Sequence, residues 1–397
     1  MIYRIEVWMG TLPVGEMICE IVPGRDPRGS FRYFPNYLQA PDAFALDPVS
    51  LPLQEGAFSC GPPGIFSVFD DSLPDDWGRR LLIRKQGLLR HQINPTTLLL
   101  ALGTTGLGAL SYVEQERPQP APASVSTLHL EELQREAELF EGGGIVDDVE
   151  IKLLLGAGSS PGGARPKALV FDEETKAHCL AKFPSIKDQV DVVRIEAATM
   201  SLASQAGLVV PGTRLVECGG RPVLLVRRFD ITASGRRHMI SFQTLLKARG
   251  YYVCRYSELL QIVRKISSDP AEDSRRLYRQ MVFNAVVNNT DDHLKNFWML
   301  CDAEQGWRLS PSFDLVPNIS GSSEHVLFFE HDPLYPGKAT LERLGKSWGI
   351  PRAGTIVEEV FSAVMTWREE FAKFGVPAEN IDRFAEVDGH LHEKLCS

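Results

Sequence analysis

The sequence predicts an α+β fold: a small strand-rich lobe, then a larger helical lobe, with a separate α/β piece ahead of both. Segments with period-two apolar alternation dominate up to about Ser241, and segments of helical period dominate beyond it. The stretch 117–126, RPQPAPASVS, is too rich in Pro, Ala and Ser to continue either pattern and reads as a linker. The expected division is therefore 1–117, 127–230 and 231–397.

In the first piece, 3–9 and 57–69 read as strands and 76–86 as a helix. Past the linker, a charged amphipathic helix is expected over 128–140. Strands follow at 167–171, 178–183, 213–218 and 222–226, with one helix at 190–206 among them. Gly207 should stop that helix, because glycine adopts the left-handed closing conformation without steric cost. The helical lobe reads as 242–248, 256–267, 273–287 and 355–374.

The chain has 397 residues, 44% hydrophobic and 23% charged, enough to bury a core in each of two or three domains. No apolar run approaches the roughly 18 residues that span a bilayer. The opening MIYRIEVWMG reads as a strand and not as a leader. The seven cysteines are scattered, odd in number and never in a CxxC pair, which indicates neither a disulfide framework nor a zinc site. A cytoplasmic protein with no membrane contact is expected. The net charge of −9 and pI near 5.6 oppose direct, non-specific binding to nucleic acid, which needs a positive surface. Contact with DNA would have to come mainly through a partner.

The sharpest chemical signal is Asn289-Thr290-Asp291-Asp292-His293-Leu294-Lys295-Asn296, followed by apolar pieces around a DAEQG turn and then Ser312-Phe313-Asp314-Leu315. Phosphoryl transfer needs one carboxylate to orient and deprotonate the attacking hydroxyl, and an amide oxygen and a second carboxylate on magnesium. Asp291 and Asn296 stand five apart, as the catalytic Asp and metal-binding Asn of a kinase loop do, and a hairpin would deliver Asp314 beside them. A polar loop capping a helix plus an unrelated turn Asp is the plainer reading.

The other half of a nucleotide site stands upstream in the expected order. Gly162-Gly163-Ala164-Arg165-Pro166-Lys167 closes a flexible loop that enters a strand, and glycine lets backbone N–H groups approach phosphate. Nineteen residues after Gly163, Lys182 shares a strand face with Leu180, a position where a lysine is desolvated unless an anion meets it. Glu196 follows fourteen residues on, in a helix, where a kinase places the acid that pairs with its strand lysine. Arg227, Arg228, Phe229 and Asp230 then form a connector whose backbone could hydrogen-bond adenine. Loop, Lys, Glu, connector, Asp…Asn, Asp is the order of a protein kinase, but GxGxxGxV, HRD and DFG are all missing.

Those departures, with Asp71-Ser72-Leu73-Pro74-Asp75-Asp76-Trp77-Gly78, the stretch LLALGTTGLGAL at 99–110, the Ser160-x-x-Gly-Ala-x-x-Lys167 loop and Arg228-Phe229-Asp230, are those of another family. Over nearly its whole length the chain resembles the HipA-like serine/threonine kinase toxins of type II toxin–antitoxin systems. The resemblance implies a protein-kinase-like two-lobed fold with an extra N-terminal subdomain. It also implies an ATP- and Mg²⁺-dependent protein kinase that phosphorylates itself at Ser160. Asp291 would be the catalytic base, with Asn296 and Asp314 holding magnesium. Lys182 would contact the α- and β-phosphates, and Gly162, Gly163, Ala164, Arg165, Pro166 and Lys167 would line them. Arg227, Arg228 and Phe229 would frame adenine, Phe313 would lie on the cofactor side of Asp314, and His293 would help shape the loop. Arg227 departs from the family, whose best-known members carry Glu there. Trp77 reads as packing. The partners implied are a dimeric HipB-like helix-turn-helix antitoxin, operator DNA mainly through it, and a protein substrate of the aminoacyl-tRNA synthetase class such as glutamyl-tRNA synthetase.

Two other readings use the same residues: a small-molecule kinase of the aminoglycoside-phosphotransferase type, and a non-catalytic scaffold holding an antitoxin on DNA. The SLPDDWG segment and the loop serine oppose the first, and intact Lys182, Asp291, Asn296 and Asp314 oppose the second.

Overall fold

A computed structural model describes residues 1–114, 118, 124–143, 147–157, 165–318, 321 and 323–387. The chain forms two compact units. The first comprises Met1–Ile186, Arg227–Lys247 and Leu300–Gly306, and the second Lys187–Val226, Ala248–Met299 and Trp307–Ser397. Among the described residues no helix is long and apolar enough to cross a membrane.

The first unit opens on an antiparallel sheet in the order Phe58–Cys60, Arg28–Tyr33, Leu12–Glu20, Ile2–Met9, Leu110–Val113. Period two puts Ile5 and Val7 into the core while Arg4 stays in water. The strand expected at 57–69 ends at Cys60, and Ser67–Asp70 is a helical turn instead. Gly61, Pro62, Pro63 and Gly64 intervene, and prolines without N–H donors cannot continue a ladder. The segment expected to be helical at 242–248 is a single turn, Phe242–Leu245, because Lys247 takes a left-handed φ of 55°.

The DSLPDDWG segment fastens a second sheet. Asp75 caps helix Asp76–Lys85 by accepting from the Gly78 N–H at 3.3 Å, and it also accepts from Lys167 Nζ at 3.1 Å. Trp77 is fully buried, donates Nε1 to the Lys167 carbonyl at 3.1 Å and stands edge-on to Phe140. Asp71 accepts from the backbone N–H and the hydroxyl of Ser241, both at 2.8 Å. Strand Lys167–Asp172 then pairs antiparallel with Ala177–Lys182, Lys167 opposite Lys182, and parallel with Val125–Ser126 at the end of the expected linker.

In the second unit, helix Val192–Gln205 is capped by Asp191 and closed at Gly207, whose φ is +77°. A Cβ there would lie 2.8 Å from Arg279 Nη1, so a larger residue would also have to displace the tip of that arginine. Helix Pro270–Val287 begins three residues before the expected start. Asp269 caps it through the Glu272 N–H at 3.2 Å and Pro270 occupies its first turn, where no N–H is missed. Leu277, Tyr278, Met281, Val282, Phe283, Ala285 and Val286 are all fully buried, so the helix is enclosed on every side from Leu277 onward. The single helix expected at 355–374 is two, Ala353–Val364 and Trp367–Lys373. Between them the Thr366 hydroxyl takes the Ala363 carbonyl at 2.9 Å, competing with the helical ladder, and Trp367 packs edge-on to Phe371 and Phe384.

Replacing Trp77 with Ala removes a buried ring and the donor on Lys167, and should destabilise the chain by about 3–5 kcal/mol. The midpoint of urea unfolding followed by circular dichroism measures this, and a midpoint equal to wild type would contradict a packing role.

Candidate active site

The loop after helix Pro270–Val287 turns at Asn288, which adopts φ +58°. The turn is tied down by Asn318, whose N–H donates to the Asn288 carbonyl at 2.8 Å and whose Nδ2 donates to the Thr290 hydroxyl at 2.5 Å. Next comes a pair of adjacent carboxylates with opposite fates. The Asp292 side chain is fully buried. Its Oδ2 accepts from the Tyr256 hydroxyl at 2.6 Å and His325 Nδ1 at 3.1 Å, and its Oδ1 from the backbone N–H groups of Val326 at 2.8 Å and Leu327 at 3.2 Å. Asn284 Nδ2 in turn donates to the Tyr256 oxygen at 3.0 Å.

With its neighbour buried, Asp291 turns outward and is 76% exposed, with His293 Nε2 3.7 Å from its Oδ1. Asn296 is buried and donates Nδ2 to the Asp291 carbonyl at 2.8 Å, which leaves Oδ1 as the atom it can offer a cation. The Leu294 N–H donates to the Tyr252 hydroxyl at 3.1 Å, adding a further anchor to the loop. The expected hairpin is present as Trp298–Asp302 and Gly306–Leu309. Beyond it the Ser312 N–H donates to the Val209 carbonyl at 2.7 Å and its hydroxyl to Gln280 at 2.9 Å. Asp314 then takes a left-handed φ of 55°, an unusual conformation that appears at sites where geometry is over-determined.

The Asp291 carboxyl is held above the ordinary aspartate range. Desolvation by the surrounding protein is the largest cause; His293 opposes it, while the charges of Asp314 and Asp292 add to it. The charges of His293, Asp292 and Asp314 thus all bear on Asp291, and Asn296 is joined to it by a hydrogen bond. Hard oxygen donors and mutually repelling carboxylates are the chemistry that a small divalent cation relieves.

Ser160, Gly162, Gly163 and Ala164 lie outside the described residues. In the first unit Arg165 is exposed, the Pro166 carbonyl accepts from the Phe183 N–H at 3.0 Å, and Lys167 is buried against Asp75. Lys182 is half-exposed on the strand face that also carries His178 and Leu180. On the connector Arg227 is exposed and Phe229 half-buried. The Arg228 guanidinium folds back onto Asp230, at 2.6 and 3.0 Å, and does not project outward. Asp230 also accepts from the Gly108 N–H at 2.9 Å, and Arg236 holds the carbonyls of Thr104 and Gly106. Burial alone would raise the Asp230 pKa, but Arg228 and Arg236 hold it below the ordinary range. The connector is thereby fastened to the turn at 104–108. In the second unit Glu196 is buried within Val192–Gln205.

The roles of Asp292, Tyr256 and His325 were not foreseen from sequence. The available signal was the doubled aspartate, since two adjacent carboxylates on a tight loop rarely face the same way.

Residues 5–113 match the family model of the HipA N-terminal domain, and residues 159–367 that of the HipA-like C-terminal domain. Among curated proteins, the chain is 28% identical over 340 residues to Y4mE of Sinorhizobium fredii, whose name places it provisionally among kinases; the match covers 77% of this chain and 76% of that one. A second protein of that organism, Y4dM, named in the same way, is 27% identical over 40% of this chain and 42% of its own length. Among solved structures, the Shewanella oneidensis HipA, HipB and operator DNA complex contains a chain that superposes with a TM-score of 0.69 at 18% identity, covering 98% of this chain and 96% of that one. The fold is thus the kinase-like fold of that chain.

The charge coupling has a direct test in a carbon-13 NMR titration of the Asp291 carboxyl. Asp314→Asn removes a like charge and should lower the Asp291 pKa, whereas His293→Ala removes the opposing influence and should raise it. An Asp291 pKa indifferent to Asp314→Asn would contradict the grouping.

Proposed function

The chain belongs to the HipA family, and from that premise we propose that it is a Mg²⁺- and ATP-dependent serine/threonine protein kinase acting as the toxin of a toxin–antitoxin pair. The observation that carries this reading is the grouping of Asp291, Asn296 and Asp314: the Asn296 amide bound to the Asp291 carbonyl at 2.8 Å, and the Asp314 charge bearing on the ionisation of Asp291. In this reading 1–117 is the family's N-terminal subdomain, 127–230 the strand-rich kinase lobe and 231–397 the helical one.

Asp291 orients the acceptor hydroxyl and takes its proton as the oxygen attacks the γ-phosphorus, while the bond to the β-phosphate oxygen breaks and ADP leaves. Asn296 Oδ1 and the Asp314 carboxylate suit magnesium, which takes oxygen ligands and supplies charge neutralisation at the phosphates. Lys182 would neutralise the α- and β-phosphates, and Gly162, Gly163, Ala164, Arg165, Pro166 and Lys167 would line them. Arg227, Arg228 and Phe229 frame adenine, Arg228 through its backbone because its side chain is engaged by Asp230. Phe313 would lie on the cofactor side of Asp314, and His293 would help shape the catalytic loop.

Incubated with Mg²⁺ and ATP, the wild-type chain should gain one phosphate by intact mass, and Ser160→Ala should abolish that gain. Asp291→Asn or Asp314→Asn should reduce transfer to any acceptor by 10² to 10⁴, roughly the worth of a positioned base. Because the raised Asp291 group must be ionised to act, activity should fall with acidification at a higher pH than an ordinary aspartate would require. Wild-type transfer rates in either variant would refute the assignment.

The protein substrate in this reading is of the aminoacyl-tRNA synthetase class, glutamyl-tRNA synthetase first, and the compartment is the cytoplasm. At a net charge of −9 the chain should reach operator DNA mainly through a dimeric HipB-like helix-turn-helix antitoxin. Co-expression with the product of a neighbouring gene should give a stable complex on gel filtration that shifts the operator, while the kinase alone should not. Sequence-specific operator binding by the kinase alone would refute this.

A further inference from the structure

We infer that Asp292 is a positioning residue that fastens the segment following Asp314 to the loop bearing Asp291 and Asn296. The inference rests on the kinase reading above. A carboxylate has about four lone-pair sites, and each of those on Asp292 has a donor. Three of the four donors come from consecutive residues, His325, Val326 and Leu327, which lie beyond Asp314 in the chain. The fourth, the Tyr256 hydroxyl, belongs to the residue after the short strand Cys254–Arg255, which itself pairs in parallel with Leu327–Phe328. Phe329 completes the packing, stacked on Tyr256 at 5.5 Å between ring centres and met by the His325 ring at 5.0 Å.

The geometry transmits directly to the reacting groups. Asp291 precedes Asp292 by one peptide, and its carbonyl holds the Asn296 amide. A shift of the buried carboxylate therefore moves the base and the metal-binding amide together. In kinases whose segment after the metal-binding aspartate is ordered by phosphorylation, arginine–phosphate pairs supply the tie. Here a buried carboxylate supplies it.

The test compares the full-length wild type with Asp292→Ala, Asp292→Asn and His325→Phe. It measures kcat and KM for Mg·ATP-dependent transfer, together with hydrogen exchange at the Val326 and Leu327 amides. Asp292→Ala should lower kcat on the order of 10²-fold, the effect of a misplacement of about 1 Å, with KM for ATP little changed. The two amides should lose protection. Asp292→Asn should recover part of the rate, because its Oδ1 still accepts from both backbone groups while its Nδ2 leaves the Tyr256 hydroxyl without its acceptor. His325→Phe keeps a ring against Phe329 and should cost about tenfold in kcat; it decides the matter if Asp292→Ala does not fold. Wild-type kcat in the deciding variant, unchanged amide protection, or a loss carried by KM alone would overturn the tie and leave the kinase reading standing. Absence of transfer by the wild type would overturn both.

Discussion

A carboxylate shut away from water must find a donor for each of its lone pairs, and two such carboxylates govern the ends of helix Pro270–Val287. At the start, Asp273 is fully buried and accepts from the Ser267 hydroxyl at 2.6 Å, from Arg276 and Arg308, and from the Leu309 N–H at 2.9 Å. At the far end Asp292 gathers its own four donors. Leaving any of these donors or acceptors unmatched in the interior would cost on the order of 1–3 kcal/mol, more where a charge is involved. The two carboxylates thus fix two loops relative to one enclosed helix. One loop is the return strand that leads to Asp314; the other carries Asp291 and Asn296. A site whose members hang from one rigid element can hold angstrom tolerances that separate loops could not.

The first unit uses charge differently. Asp75 and Asp230 are each paired with a basic side chain and also accept a backbone N–H, so each joins segments distant in sequence. The Lys167 pair ties the DSLPDDWG segment to the strand that enters from the Gly-rich loop. The Arg228–Asp230 pair, with Arg236, ties the connector to the turn at 104–108. Both ties reach out from the N-terminal piece, which gives that piece a physical role in shaping residues expected to handle nucleotide.

Much of this was legible in the sequence because it is local. The five-residue spacing from Asp291 to Asn296, the hairpin before Asp314, the strand alternation around Lys182 and the stop at Gly207 all depend on short-range geometry. What could not be read depends on distant partners. Nothing near Asp292 says that it, rather than Asp291, is the buried one, because three of its donors lie more than thirty residues on, in a stretch without period, and the fourth, Tyr256, lies as far upstream. Nor does the sequence show that the Arg228 side chain is engaged by Asp230, which also accepts from the distant Gly108 N–H. The failures at 57–69 and 355–374 are of a different kind. Apolar content suggested continuity, but two prolines in one case and a backbone-seeking threonine in the other broke it.

The left-handed backbone of Asp314 bears on how a silent version of this protein should be made. That conformation is steeply unfavourable for residues with a β-carbon, by roughly 1–2 kcal/mol, but Asn and Asp tolerate it better than others because their side chains bond locally. An alanine at this position would remove the carboxylate and strain the chain at once, so a null phenotype would mix chemistry with distortion. Glycine would release the strain but also the conformational restriction that aims the segment. Asparagine alone deletes the charge while leaving shape and backbone preference in place, which makes it the informative dead control. By the same logic, a library randomised at this codon should return functional clones only with aspartate, and the most stable of the inactive clones should carry asparagine or glycine.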